Sequence, residues 1–140
     1  MDAIDRQIIE LLRENGRRAN VDIAREIGIS EGTVRKRVER LLSGGALRIV
    51  GLVDPRRIGL SVRVLISLQV ELARLELASQ LLVQMPEVLS VYVVTGEHDL
   101  VVEAAFSSNE HLMAFLGERV SQIPGIVGST TAHVLQIAKQ

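Results

Sequence analysis

A helical apolar spacing recurs three times within residues 1–45. Behind Asp2, a residue suited to capping a helix, Ile4, Ile8, Leu11 and Leu12 follow the i, i+4, i+7, i+8 pattern, and the run ends near Gly16. A second, shorter helix is expected over residues 21–27 with Asn20 as its cap; it would bury Ile23, Ala24 and Ile27 and stop at Gly28. Ser30 then caps SEGTVRKRVERLLSGG, where Val34, Val38, Leu41 and Leu42 share one face at ~100° per residue and Gly44-Gly45 close the helix. Two short helices joined by a tight glycine turn, with a third before them, make a helix-turn-helix pattern. The following ALRIVGLVDPRRIG alternates loosely and predicts a two-stranded wing.

From residue 62 the period shortens. VRVLISLQVEL reads as a strand with Val64, Ile66, Leu68 and Val70 on one face, and Leu65 beside Ser67, Gln69 and Glu71 on the other. LELASQLLVQMPEV returns to helical spacing at Leu77, Leu81, Leu82 and Met85, ending before Pro86. VYVVTGEHDLVVEAAF is strand, turn, strand. NEHLMAFLGERVSQIPG is a helix capped by Asn109 and presenting Leu112, Phe115, Leu116 and Val120, and IVGSTTAHVLQIAK is a last strand. The order βαββαβ is ferredoxin-like, with helices on one face of an antiparallel sheet. Both faces of the hairpin are largely apolar, which implies a partner over the open face, and self-association is the economical choice.

The predicted fold class is therefore α+β, an N-terminal winged helix-turn-helix over residues 1–54, a connector over 55–61 and a ferredoxin-like domain over 62–140. Charge divides along the same line. Residues 1–60 hold 12 Lys and Arg against 9 Asp and Glu, whereas residues 61–140 hold 4 against 8. The basic part can meet phosphate and the acidic part is repelled by it. The absence of cysteine excludes disulfides and thiolate sites. No apolar run reaches the ~18 residues of a membrane span, and the start MDAIDRQ lacks the features of a signal peptide, so a soluble cytoplasmic protein is expected.

Opposite the buried stripe of the third helix lie Gly32, Thr33, Lys36 and Arg40, flanked by Arg35 and Arg37. Small and polar residues in a first turn let the backbone approach a groove, and cations beside them suit phosphates. Arg48 and the pair Arg56-Arg57 add further phosphate contacts. Arg37 could equally reach an acid on a neighbouring helix, and a solvated charged face is the plain alternative for the whole run.

The stretch IDRQIIELLRENGRRANVDIAREIGISEGTVRKRVERLLSGGALR resembles the helix-turn-helix of the Lrp/AsnC (feast/famine) transcription regulators. The resemblance is carried, in order, by Ile4-Asp5, Asn15-Gly16-Arg17, Gly28-Ile29-Ser30, Arg37-Val38, Leu41 and Gly45. The second half resembles the family's ligand-binding and oligomerisation domain, with Gly96 and Asp99 matching a Gly-x-x-Asp turn. The resemblance implies double-stranded DNA as partner, dimers assembling to an octamer, and a small effector, usually an amino acid, at that turn. Thr95, Gly96, Glu97, His98 and Asp99 would then line the effector site, with Ser129, Thr130 and Thr131 of the last strand beside them.

Taken on their chemistry, backbone N–H groups at Gly96 suit an amino acid's carboxylate and Asp99 its ammonium group, while His98 would only cover the site. Metal ligation by Glu97, His98 and Asp99 would need three or four converging donors, which adjacent turn residues rarely supply. A solvated turn remains the plain alternative. No nucleophile, phosphate loop or carboxylate pair suggests catalysis, so no enzyme, no catalytic residue, no metal and no cofactor beyond the effector are expected. An architectural DNA-binding protein without effector, and a ferredoxin-like metabolic enzyme, are the competing readings.

Overall fold

Asp2 and Asp5 open the chain with a reciprocal cap. The Asp5 backbone N–H donates to the Asp2 carboxylate at 2.9 Å and the Asp2 N–H to the Asp5 carboxylate at 3.1 Å, starting α1 at Ala3–Glu14. The computed structural model describes residues 1–138; Lys139 and Gln140, and with them the end of the expected last strand, lie outside the described residues. Two compact units are present, Met1–Leu52 and Val53–Gln140.

In the first unit α2 spans Asn20–Ile27 and α3 spans Glu31–Ser43. Asn20 is the first helical residue rather than the cap; Ala19 holds the cap position and offers no side-chain oxygen. Ile8, Leu12, Ile23, Ala24, Val34 and Leu41 form the core, with Val38 packed against it. Leu42 departs from expectation and stands 40% exposed. The two-stranded wing is not formed, since residues 46–54 carry no strand. A lone hairpin is marginal without a face to bury, and Ile49, Val50, Leu52 and Val53 are all exposed. The chain then turns into a 3-10 helix at Pro55–Ile58, started by Asp54 accepting from the Arg56 N–H at 3.1 Å.

The second unit is a four-stranded antiparallel sheet in the order β2-β3-β1-β4, built from β1 Val62–Val70, β2 Val88–Val93, β3 Leu100–Phe106 and β4 Ile126–His133. Val64, Ile66, Leu68 and Val70 are buried as the alternation requires. They pack with Leu100, Val102, Ala104 and Phe106 beneath α4, Leu75–Val83, and α5, Asn109–Ala114. In α4 the buried residues are Ala78 and Leu82, with Leu75 half-buried beside them, whereas the expected core positions Leu77 and Leu81 are each 38% exposed. A small side chain at Ala78 lets the helix lie close to the sheet, and that contact selects the stripe.

Ser108, not Asn109, caps α5, its hydroxyl accepting from the His111 N–H at 3.1 Å. The helix then widens into a π turn at Phe115–Arg119 and closes as a 3-10 turn at Val120–Gln122. Phe115 and Val120 are both buried. In a regular helix, at ~100° per residue, positions five apart diverge by about 140°; the wider turn brings both inward. The opposite sheet face carries an ion pair, with Arg63 Nε donating to Glu103 at 2.7 Å. No helix among the described residues is long and apolar enough to cross a membrane.

Candidate functional site

The residues expected to carry the chemistry lie in two places, the outward face of α3 and the turn between β2 and β3. The Ser30 hydroxyl accepts from the Thr33 N–H at 3.2 Å and lies 2.8 Å from the Thr33 hydroxyl, which fixes the first turn of α3. Val34 is fully buried, so Thr33, Arg35 and Lys36 project outward and are exposed. Beyond its chain neighbours and the backbone of α3 itself, no atom lies within 4 Å of where a Cβ on Gly32 would stand, so the backbone there is open to approach. Arg35 lies 3.9 Å from Glu31, a loose pair one turn back. Lys36 makes no ion pair among the described residues, and Arg48 is exposed in the extended segment after α3.

Arg37 and Arg40 are placed differently from their expected phosphate role. Arg37 Nη1 donates to both Asp2 oxygens at 2.8 and 2.7 Å and to Asp5 at 2.8 Å. Arg40 Nη2 donates to both Asp5 oxygens at 2.9 Å. The acid on a neighbouring helix has won Arg37, because a carboxylate buried at the α1 cap needs cationic partners. Hydrogen bonds from Arg37 and from the Asp5 N–H hold the Asp2 carboxyl down at about 2. The Asp2 N–H, and after it Arg37 and Arg40, lower that of Asp5 despite its burial.

At the β2-β3 turn the last ladder pair is Val93 with Leu100, and the Val94 N–H donates to the Asp99 carbonyl at 3.0 Å. Gly96 has φ +118°, a backbone region that L side chains rarely adopt. Thr95, Gly96 and Glu97 are exposed, while His98 and Asp99 are half-buried. Asp99 is more firmly held than a solvated turn requires. Its N–H donates to the Leu68 carbonyl at 2.9 Å and its Oδ2 accepts from the Val70 N–H at 2.8 Å. This side chain satisfies β1 where the β1-β4 register shifts between Gln69 and Val70. The other oxygen, Oδ1, accepts no hydrogen bond among the described residues.

Thr130 and Thr131 are not brought together on one face. They pair with Ser67 and Ile66, so Thr131 shares the helix side with Ile66 and Thr130 the opposite side. The β4 residue adjoining the turn is instead Gly128, paired with Gln69. Gln69 Nε2 donates to the Glu97 carbonyl at 3.3 Å, and a Cβ on Gly128 would stand 2.7 Å from Gln69 Oε1. Both residues were missed in the sequence; the available signal was a glycine inside an otherwise β-rich run, which marks close approach. No group of three or more His, Asp or Glu able to hold a metal occurs among the described residues.

An N-terminal helix-turn-helix with outward cations, followed in the chain by a separate α+β unit with a braced, open turn, defines a DNA-binding regulator of the helix-turn-helix class. Comparison with known proteins narrows the class. The family model described as the AsnC-type helix-turn-helix domain matches residues 1–42, and that of the Lrp/AsnC ligand binding domain matches residues 63–140. A similar HTH-type transcriptional regulator, Ptr1 of Methanocaldococcus jannaschii, is 33% identical over 99% of this chain and 95% of its own length. An uncharacterized HTH-type transcriptional regulator of Pyrococcus horikoshii is likewise 33% identical, over 99% of this chain and 89% of its own.

Among solved structures, AsnC of E. coli has TM-score 0.89 and 27% identity, covering all of this chain and 95% of that one. A Neisseria meningitidis transcriptional regulator solved as an L-Met complex has TM-score 0.92 and 24% identity, covering all of this chain and 93% of that one. The chain belongs to the Lrp/AsnC family of transcriptional regulators and carries its ligand-binding domain. These families and relatives are regulators, not enzymes.

Proposed function

We propose that this regulator binds DNA sequence-specifically through the outward face of α3, and that an amino acid at the β2-β3 turn modulates its assembly and DNA binding. The observation that carries the DNA half is the exposed Thr33 and Lys36 beside the open backbone of Gly32. Thr33 and Lys36 read base edges; Arg35 and Arg48 meet phosphates. Residues 1–54 are the reader, 55–61 the connector and 62–140 the effector and assembly domain. Dimers set two α3 helices on a pseudo-palindrome and associate further, toward an octamer, in the cytoplasm.

The amino-acid half draws on Asp99 Oδ1, the free carboxylate oxygen that would accept an ammonium group, and on backbone N–H groups at Gly96 for a carboxylate. The Neisseria regulator of the same fold, solved with L-methionine, supports this ligand class. The test uses a duplex selected by the wild-type protein from a random library. Thr33→Ala or Lys36→Ala should cost ~1 to 3 kcal/mol on it and less on random DNA, whereas Arg35→Ala should weaken both alike. Equal losses on both duplexes for all three variants would leave α3 with phosphate contacts alone.

A further inference from the structure

Among the described residues Asp5 is the one buried polar or charged side chain, at 1% exposure. Burial of a carboxylate is costly unless it is paired and hydrogen-bonded, and α3 supplies the pairing. Arg37 bridges Asp2 and Asp5, and Arg40 forks onto both oxygens of Asp5. Two carboxylates of the α1 cap thus face two guanidiniums of α3, and the cluster carries no net charge.

The location of this cluster is what gives it a function. Arg40 lies one turn beyond Lys36 and two beyond Thr33, continuing the outward stripe, and its side chain is 62% exposed. Arg37 is the neighbour of Lys36, with 22% of its side chain exposed. Released from Asp5, Arg40 would stand beside the base-reading residues, while Arg37 would still be held by Asp2. A base-read complex fixes the register of the helix on the duplex, whereas a non-specific complex can shift until a free guanidinium meets a phosphate, so such a cation raises affinity for random DNA more than for a selected site.

We propose that Asp5 is a positioning residue that sets DNA specificity: by holding Arg40, and together with Asp2 also Arg37, against the first turn of α1, it keeps guanidiniums off the phosphate backbone. Discrimination is then left to Thr33 and Lys36. This rests on α3 being the helix that meets DNA, which the Lys36→Ala arm tests separately. A residue that only stabilised the fold would, when replaced, lower all binding in proportion to the folded protein lost. Asp5 should do something different.

The experiment measures affinity of the full chain for the selected duplex and a random duplex across a salt series. Asp5→Asn keeps the shape and removes the charge. It should raise affinity for random DNA severalfold, lower the selected-to-random ratio, and steepen the dependence of log K on log salt by about 0.9 per phosphate newly contacted. Arg40→Gln in the otherwise wild-type chain should leave slope and ratio unchanged, and added to Asp5→Asn it should return the slope toward wild type.

A slope made shallower by about one unit in Arg40→Gln alone would mean that Arg40 already sits on a phosphate, and would overturn the proposal even if Asp5→Asn failed to fold. An unchanged slope in a folded Asp5→Asn protein, with Lys36→Ala still weakening binding, would overturn it while leaving α3 as the DNA helix. If Lys36→Ala also had no effect, the reading of α3 itself would fall.

Discussion

At the scale of single residues, Asp99 divides its two oxygens between an observed structural bond and the proposed ligand contact. Oδ2 completes β1 at its register shift by accepting from Val70, and Oδ1 is left for an incoming donor. Asparagine offers an oxygen to Val70 while removing the charge, so Asp99→Asn should keep near wild-type stability yet weaken amino-acid binding measured by calorimetry. Alanine leaves the Val70 N–H without its acceptor and should cost about 1–3 kcal/mol in urea unfolding. Equal stability of the two variants would remove Asp99 from the strand's hydrogen bonding. Unchanged ligand affinity in Asp99→Asn would return the turn to a solvated connection. Gly128→Ala should be mild for stability, because Gln69 is an exposed, flexible side chain that can move aside. Moving it breaks the bond to the Glu97 carbonyl, so the effect belongs in ligand affinity.

At the scale of elements, the joint between α1 and α3 is electrostatic as well as apolar. The folded-state carboxyl of Asp2 is lowered from 3.8 to about 2, chiefly by Arg37, and that of Asp5 is lowered as well. A lowered carboxyl stabilises the fold fully above its unfolded value and loses that contribution as pH falls through the folded one. The helical unit should therefore weaken between about pH 4 and about pH 2, while neutral and mildly alkaline pH leave the joint intact. Helical circular dichroism is dominated by α1, α2 and α3 of this unit, with a smaller part from α4 and α5, and the fluorescence of Tyr92, the chain's single tyrosine, follows β2 of the other unit. An Asp2→Asn variant should show a smaller loss of helix stability across that acid window. An equal loss in the variant and the wild type would place the acid sensitivity elsewhere.

At the scale of the whole molecule, charge and exposed apolar surface divide the two units. Residues 61–140 hold twice as many acidic as basic residues, 8 against 4, and contain a core of their own beneath α4 and α5. Expressed alone, this part should fold and show no measurable affinity for DNA in gel shift, since its net charge repels phosphate. It should also self-associate. The sheet face opposite the helices exposes Leu65 and Tyr92 at 38% and 51%, around the Arg63–Glu103 pair, an apolar surface with polar fixing points of the kind that interfaces use. A monomer in light scattering would remove the argument from that face.

What the sequence determined by itself was everything that depends on period and local chemistry. Alternation in VRVLISLQV placed Val64, Ile66, Leu68 and Val70 inward, Ser30 marked the start of α3, and the order of elements implied the sheet. Thr33, Arg35 and Lys36 were legible as outward because Val34 opposes them on a helix of known pitch. Tertiary structure decided the rest. Whether Arg37 and Arg40 face DNA or α1 depends on Asp2 and Asp5, more than thirty residues away in the chain, and periodicity along one helix contains no such partner. The bracing of Asp99 by β1, and the pairing of Gln69 with Gly128, arise from strand register. The missing wing has the same cause: alternation proposes strands, but only a buried face and a ladder partner make them, and residues 46–54 have neither within this chain's described residues.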